Sequence, residues 1–303
     1  MATEAPRSLY SPDHIRNQMS PVLPLVNSLL EEVLCRGVVL FARYSGGPEV
    51  RDDNEGVVLL SYFHLLELFD GLKIQMAECS PATAALQLRA MFESLLNIEY
   101  ILKEEAKISE RASAYLYEVE RQRKKFYLEC KDPNTVVGEW FRRAGKYTMA
   151  ELEDRLRDIE NVLAQPVFKE VAKAYRKAKT ERRYPNWYTL YGGPESIAKL
   201  AYHLGRGDWY AQVYMELSAR IHGTDVLDRF LSHSDSGKPM VRNLRDVSEF
   251  NSWIDHSISM VLAAMRAMIR HFRPADETEQ AAWFTSEISE RWNSVPNIQA
   301  NYG

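Results

Sequence analysis

A row of polar side chains interrupts an otherwise apolar segment near residue 90. Arg89, Glu93 and Asn97 stand four residues apart among Ala, Leu, Met, Phe and Ile. On an α-helix, steps of four residues drift by only about 40°, so these side chains leave from one narrow face. An exposed Arg–Glu pair at this spacing stabilises a helix by only about 0.3–0.5 kcal/mol. If the helix is central, each charge needs a partner, because an unpaired buried charge costs several kcal/mol.

A second polar row follows residue 208 and lies beside an apolar stripe. Its four hydrogen-bonding side chains recur at four-residue spacing: Tyr210, Tyr214, Ser218 and His222. Gly223 follows directly, and a glycine lets a backbone or ligand approach closely. We predict that this row faces Arg89 and Glu93 inside a helical bundle and forms one polar site. The alternative is a structural network that only fixes helix packing.

The sequence gives little support for a metal, a cofactor or a covalent nucleophile. His64 and Glu67 form one i,i+3 pair, but a di-metal bundle needs two Glu-x-x-His repeats and two further carboxylates. The chain contains no Glu-x-x-His. It also lacks the nucleophile-elbow, P-loop and dinucleotide-binding glycine motifs. We therefore predict no metal and no cofactor.

A basic run followed by aromatic residues lies between residues 169 and 191. Only Glu170 and Glu181 oppose its positive charges as far as residue 183. Basic side chains can follow phosphates while aromatic rings stack on unpaired bases. The residues that we predict to bind RNA are Lys173, Arg176, Lys177, Arg182, Arg183 and Trp187. The alternative, a solvated helix face with an aromatic loop packed on the protein, is favoured by the overall charge of −4.

Composition excludes several classes of protein. The 303 residues carry 38 Lys and Arg against 42 Asp and Glu, and 46% are hydrophobic, which excludes fibrous and disordered chains. No stretch approaches the roughly 18 apolar residues of a membrane span, and the N-terminus lacks the apolar region of a secretory signal. We therefore expect a cytoplasmic protein with no membrane partner. Cys35, Cys79 and Cys130 suit neither a disulfide framework nor a zinc site, and we expect buried thiols.

Capping residues and apolar periodicity divide the chain into helices. The helix that begins at Pro81 is apolar nearly all round, which is typical of a central helix. A capping box at Thr148 and Glu151 marks one start in the charged residues 104–183, and Gln165-Pro166 marks a break. We predict further helices over residues 20–46, 55–79, 195–204, 208–232, 246–272 and 277–292.

Strand-like alternation is not sustained anywhere in the chain. The predicted fold is therefore all-α, a multi-helix bundle with a long charged helical middle section. We expect an N-terminal helix and turn over residues 1–54 and a core helical domain over residues 55–235. The C-terminal helices, residues 236–303, are expected to pack on the same core.

Four segments resemble the bacterial helical proteins of domain-of-unknown-function family 5677. They are Leu88-Arg89-Ala90-Met91-Phe92-Glu93, Tyr184-Pro185-Asn186-Trp187-Tyr188, Ile197-Ala198-Lys199-Leu200-Ala201-Tyr202-His203-Leu204-Gly205 and Tyr210-x-x-x-Tyr214-x-x-Leu217-Ser218-x-x-x-His222-Gly223. The resemblance covers roughly residues 55–235, and the last segment is the most specific. The family name carries no established activity, so the resemblance supports the two-row site without assigning it a reaction.

The chain is also distantly similar to the HEPN superfamily of helical bundles. Many of its members are metal-independent ribonucleases of toxin–antitoxin and phage-defence systems, and their sites usually assemble across a dimer. Their motif places an Arg four to six residues before a His on one helix. Here Arg220 is only two residues before His222, so Arg89 would have to supply the arginine from another helix. This similarity implies RNA as substrate, a homodimer and an antitoxin as partner protein.

Three functions follow as alternatives. In a ribonuclease effector, His222 would be the general acid or base and Arg89 would offset phosphate charge. Glu93 would then orient either of them, while Tyr214 and Ser218 would position the substrate. The second alternative is a non-catalytic helical adaptor that binds a partner protein and holds its bundle with a structural polar cluster. The third is a small-ligand sensor in which Arg89 holds an anionic group.

Overall fold

Helices account for most of the chain that the structure describes. The structure is a computed structural model, and it describes residues 10–46, 53–181, 185–223, 230–231 and 240–298. The predicted all-α fold is confirmed. The helices group into two units. The first unit comprises the described residues within 1–50, 58–99 and 204–303, and the second comprises those within 51–57 and 100–203.

The first unit is built around long helices. Its elements are α1 (Pro12–Met19), α2 (Leu23–Ser45), most of α3 (Asp53–Ala77) and of α4 (Ala84–Leu102), α10 (Gly207–Trp209), α11 (Met215–Ile221), α12 (Phe250–Phe272), α13 (Glu277–Trp283) and α14 (Glu290–Asn293). One π-helical turn, Tyr210–Tyr214, joins α10 to α11, and a second, Phe284–Ser289, joins α13 to α14. Two-residue strands β1 (Phe230–Leu231) and β2 (Met240–Val241) pair antiparallel.

The core of the first unit contains α4, as its apolar sequence predicts. Leu88, Met91, Phe92 and Leu95 are completely buried, as are the apolar residues of α12 that pack near α2. The helices α2 and α3 approach closely at Gly37, where an added Cβ would lie only 2.6 Å from a methyl carbon of Leu66. A larger side chain at this position would therefore require the Leu66 side chain to shift.

The second unit contains the charged helices. They are α5 (Ile108–Lys131), α6 (Val136–Ala144), α7 (Met149–Leu163), α8 (Lys169–Glu181) and α9 (Ile197–His203). A small apolar core joins the first three of these, formed by Tyr127, Cys130, Phe141, Leu152, Leu156 and Ile159. The predicted capping box is confirmed: the Glu151 amide donates to Thr148 Oγ1 at 3.2 Å, and the Thr148 amide donates to the Glu151 carboxylate at 2.7 Å.

Three predictions of elements need correction. The helix predicted over residues 208–232 ends at Ile221, because Gly223 adopts a left-handed φ of +66° and closes the helix as a C-terminal cap. The residues from 224 to 229 and Ser232 lie outside the described residues, and Phe230–Leu231 is a strand. The helix α1 was not predicted, although Ser11-Pro12 repeats the Ser-Pro start signal.

Smaller differences have local causes. The helix predicted from Asp246 begins at Phe250, because the Asp246 carboxylate accepts the Ser248 amide at 2.9 Å and holds a turn. Cys79 and Cys130 are buried as expected, but Cys35 is exposed on α2. Among the helices in the described ranges, none combines the length and the apolarity needed to cross a membrane.

Ion pairs join α2 to the C-terminal part of the first unit. Glu279 accepts hydrogen bonds from Arg43 at 2.9 and 3.2 Å and lies 2.9 Å from Arg36 Nη1. Arg43 also donates to Asp276 at 3.0 Å. The hydrogen bonds from Arg43, followed by those from Arg36, lower the pKa of Glu279 from 4.5 to about 2. The ionised carboxylate is therefore favoured in the folded state.

We expect Glu279→Gln to remove part of the acid sensitivity of folding. A carboxylate with a lowered pKa stabilises the fold above its unfolded pKa, here 4.5, and that contribution is lost as the pH falls towards 2. Urea denaturation from pH 7 to pH 2.5 should show a shallower loss of stability in the variant than in the wild type. Glu290→Gln, a change at an exposed carboxylate of α14, should leave the profile unchanged. Identical profiles for all three proteins would contradict the assignment.

Candidate functional site

The Arg89 guanidinium lies at the centre of a polar cluster in the first unit. Its Nη2 donates to the Tyr214 hydroxyl at 2.9 Å, its Nη1 to Ser218 Oγ at 3.4 Å and its Nε to Glu93 at 3.2 Å. The structure thus brings together four of the five residues predicted for the site. We call Arg89, Glu93, Tyr214 and Ser218 the Arg89 cluster.

Two helices present these side chains for different local reasons. On α4, the four-residue step from Arg89 to Glu93 aligns the pair on one face. On the facing segment, Tyr214 closes the π-helical turn Tyr210–Tyr214, a rare geometry that occurs frequently at functional sites. The sequence does not reveal this turn, because its residues keep α-helical spacing.

Aromatic contacts fix the position of Tyr214. The Arg89 guanidinium carbon lies 4.6 Å from the centre of the Tyr214 ring. The Tyr210 ring stacks on the Tyr214 ring, with 5.2 Å between the centroids. Phe92, which is completely buried, lies 6.1 Å from Tyr214. Sequence reasoning assigned Phe92 to the core and missed this supporting contact, which its place three residues after Arg89 on α4 could have suggested.

The cluster is half-buried, and its arginine is permanently charged. The Arg89 side chain is 22% exposed and the Glu93 side chain 44%. Burial lowers the pKa of Arg89, but the influence of Tyr214 and Glu93 is larger and raises it overall. Burial also raises the pKa of Tyr214, and the Glu93 charge raises it further. At neutral pH, the cluster therefore contains a charged guanidinium beside a neutral phenol.

Arg89 keeps donors for a further acceptor. A guanidinium has five N–H bonds, and three are directed at Glu93, Tyr214 and Ser218. Within the described part of the chain, no acceptor binds the other two. An anionic group, such as a phosphate, could accept from them without displacing the protein's own partners.

His222 is the predicted site residue that the structure leaves out of the cluster. It follows the last residue of α11, its side chain is exposed, and its imidazole has no hydrogen-bond partner among the described residues. The expected contact with Arg89 and Glu93 is therefore absent there. Four-residue spacing places His222 one helical turn beyond Ser218 on the same face. Asn97 is half-buried on α4, and its side-chain amide likewise makes no hydrogen bond in the described ranges.

Arg220, the other arginine near His222, is held by acidic partners. It lies 3.2 Å from Glu216 and forms a hydrogen bond to Glu249. Its guanidinium carbon is 5.3 Å from the centre of the Trp253 ring. Burial raises the pKa of Glu249, which the Arg220 charge opposes. Sequence reasoning missed Glu249, since no spacing relates it to Arg220.

The residues predicted to bind RNA have three different outcomes. Lys173, Arg176 and Lys177 are exposed on α8. Arg182 and Arg183 lie outside the described residues. The Trp187 ring is only 7% exposed and packs 5.5 Å from Tyr100 and 5.3 Å from Tyr115, measured between ring centroids. Neighbouring rings therefore cover most of the Trp187 ring in this structure, and its binding to RNA stays a prediction.

Metal-binding side chains do not gather at the cluster. In the ranges that the structure covers, no three His, Cys, Asp or Glu residues lie close enough to hold a metal ion. His64 and Glu67 are 3.5 Å apart on the exposed face of α3 and form an isolated pair.

We expect Tyr214→Phe to lower the free energy of unfolding by about 1 kcal/mol, because it removes the hydroxyl that accepts from Arg89. Urea denaturation at pH 7 measures the change. Tyr210→Phe is the matched control, since its ring stacks in the same turn but its hydroxyl has no partner among the described residues. Equal losses in both variants would show that the Arg89–Tyr214 hydrogen bond contributes nothing specific.

Comparison with known proteins identifies the family of the chain. The model of a family of unknown function, DUF5677, matches residues 55–239. This range includes the whole Arg89 cluster and His222. No curated protein and no solved structure matches the chain, and the similarity to the HEPN superfamily stays a prediction. Because the matched range is more than half of the 303 residues, the chain belongs to the DUF5677 family.

Proposed function

We propose that the chain is a metal-independent endoribonuclease whose active site is the Arg89 cluster together with His222. One observation carries the proposal. A half-buried guanidinium is fixed by three protein partners, keeps two N–H donors and lies along a helix face that ends at an exposed histidine. A fixed cation and an imidazole that can accept or donate a proton are the two groups that we propose for phosphodiester cleavage.

Each residue has a defined role in this proposal. His222 accepts the proton of the 2′-hydroxyl as its oxygen attacks phosphorus, or donates one to the leaving 5′-oxygen. The phosphorus–5′-oxygen bond breaks, and the products carry a 2′,3′-cyclic phosphate and a 5′-hydroxyl. Arg89 stabilises the charge that develops on the phosphoryl oxygens. Glu93, Tyr214 and Ser218 are positioning residues, because their contacts orient Arg89.

The basic face of α8 supports RNA as the substrate class. Lys173, Arg176 and Lys177 are exposed there, and Lys173 is paired only loosely with Glu170, at 3.8 Å. Such side chains contact phosphates without reading sequence, so RNA affinity should fall steeply with salt. A nuclease that does not select a sequence would also cleave the RNA of its own cell, so its activity must be inhibited until it is needed. This is consistent with an effector of a toxin or phage-defence system and with an antitoxin as its partner.

Cleavage of total RNA by the purified chain tests the proposal. We expect products with 2′,3′-cyclic phosphate ends in the presence of EDTA, and a loss of at least 100-fold in rate for His222→Ala. Arg89→Lys should also lose most activity, since an ammonium cannot keep the three contacts and still bind phosphate. His64→Ala is the control, because His64 is also an exposed histidine of the first unit.

Two results would refute the ribonuclease. One is the absence of cleavage by the wild-type chain, and the other is equal cleavage by the wild type and His222→Ala, which would indicate a contaminating nuclease. Circular dichroism of each variant separates loss of activity from loss of fold.

A second candidate function is that of a non-catalytic adaptor, supported by an exposed apolar surface in the second unit. Val136 is 86% exposed, Trp140 56% and Phe126 43%. The rings of Trp140 and Phe126 both contact Phe141, at 4.8 and 5.7 Å between centroids. Exposed aromatic groups of this kind are enriched at protein interfaces. We propose a second copy of the chain as their partner.

Sedimentation velocity tests this surface. We expect the wild-type chain to sediment as a dimer and Trp140→Glu to sediment as a monomer, because a charge in an apolar interface is left unpaired. Met149→Glu changes a side chain that is 53% exposed elsewhere in the same unit and should remain dimeric. A monomeric wild-type chain would refute the dimer.

A further inference from the structure

A cleft of about 440 Å³ lies within the second unit. Its walls are the residues before and at the start of α5, the 3-10 helical segment Trp187–Gly192 and the helix α9. Clefts of this size typically hold small molecules or parts of larger ones. None of the residues of the Arg89 cluster lines it.

The lining of the cleft contains a buried arginine, Arg111, that donates two hydrogen bonds to neighbouring residues. The Arg111 side chain is 6% exposed. Its Nη1 donates to the Tyr100 carbonyl at 2.8 Å and its Nη2 to Glu104 at 2.6 Å, while its guanidinium carbon lies 4.2 Å from the centre of the Tyr100 ring. These contacts fix Arg111 in the wall of the cleft, and its other three N–H bonds have no acceptor among the described residues.

The other charges of the lining largely cancel one another. Glu104 also pairs with Lys107 at 2.9 Å, and Glu195 pairs with Lys199. Three carboxylates and three cations line the cleft. Burial, and then the charge of Lys103, lowers the pKa of His203, so its imidazole is neutral at pH 7. A cleft without net charge favours a neutral ligand over a polyanion.

Among the polar groups of the lining that have no partner in the described residues, two can recognise the edge of a base. They are the Glu110 carboxylate, which is exposed, and the ring nitrogens of His203. An ionised carboxylate only accepts hydrogen bonds, whereas a neutral imidazole offers one N–H donor and one acceptor. A fitting ligand therefore presents at least two donors and one acceptor.

One aromatic residue of the lining, Tyr191, is exposed and has an uncommon backbone conformation. Tyr191 and Gly192 have φ values of +56° and +77°, and a left-handed tyrosine is uncommon. Such conformations concentrate at ligand sites. Tyr191 remains 45% exposed, whereas the neighbouring Trp187 is buried. The turn thus leaves one ring available for stacking.

We propose that this cleft binds a guanine base, either as free guanosine or within RNA. The Watson–Crick edge of guanine carries adjacent N1–H and N2–H donors, which match a carboxylate, and its O6 accepts a hydrogen bond, which His203 can donate. Adenine, cytosine and uracil lack the adjacent pair of donors. The planar base also supplies a face for Tyr191. This inference uses residues of the second unit alone and does not rest on the ribonuclease proposal.

Isothermal titration calorimetry of the full chain with the four common ribonucleosides tests the inference. We expect guanosine to bind at least tenfold more tightly than the other three. Glu110→Gln should weaken guanosine binding at least tenfold, and Glu139→Gln, at a half-exposed carboxylate of α6 that pairs with Arg143, should leave it unchanged. Tyr191→Phe should retain binding, while Tyr191→Ala should weaken it roughly tenfold through loss of stacking.

The trinucleotides UGU and UAU distinguish the two sources of guanine. Binding of guanosine and UGU supports a site open to the free nucleoside, and binding of UGU alone supports a pocket for a base within RNA. If neither binds, if UAU binds as tightly as UGU, or if Glu110→Gln binds like the wild type, the inference is refuted. Nucleosides contain no phosphodiester bond, and the trinucleotides are titrated into the His222→Ala variant, so these results are independent of the outcome of the cleavage assay.

Discussion

The contact between Arg89 and Tyr214 links two parts of the first unit that are far apart in the sequence. Arg89 extends from α4, whose other side chains are mostly buried, so its charge must be satisfied at the edge of an apolar core. Tyr214 supplies both a hydroxyl acceptor and the face of its ring. Without that partner, the guanidinium would be left partly desolvated beside one half-exposed carboxylate, which costs free energy.

Periodicity and capping chemistry predicted the part of the fold that depends on neighbours in sequence. The capping box at Thr148, the break at Gln165-Pro166 and the buried face of α4 follow from such rules. The contact of Arg89 with Tyr214 and Ser218 could also be predicted, because buried polar side chains in apolar helix faces need hydrogen-bond partners. These predictions used only local spacing and the cost of burying charge.

Other features depend on contacts that no spacing encodes. Trp187 was predicted to be available for bases, yet rings from α4 and α5 cover it. Tyr191 has a left-handed backbone conformation, which a tyrosine in the sequence does not predict. His222 had the right spacing, but Gly223 ends the helix there and leaves the imidazole exposed. Tertiary packing decided each of these positions.

The π-helical turn at Tyr210–Tyr214 makes the alignment of the two polar rows depend on chain length as well as on residue type. Each residue of an α-helix advances the chain by about 100° of rotation. The i→i+5 bonding of the π turn accommodates one residue more than an α-helical turn. If the same residues formed a regular α-helix instead, everything that follows would be rotated by that angle. Ser218 and His222 would then point to a different side of the helix, although every side chain of the site would still be present.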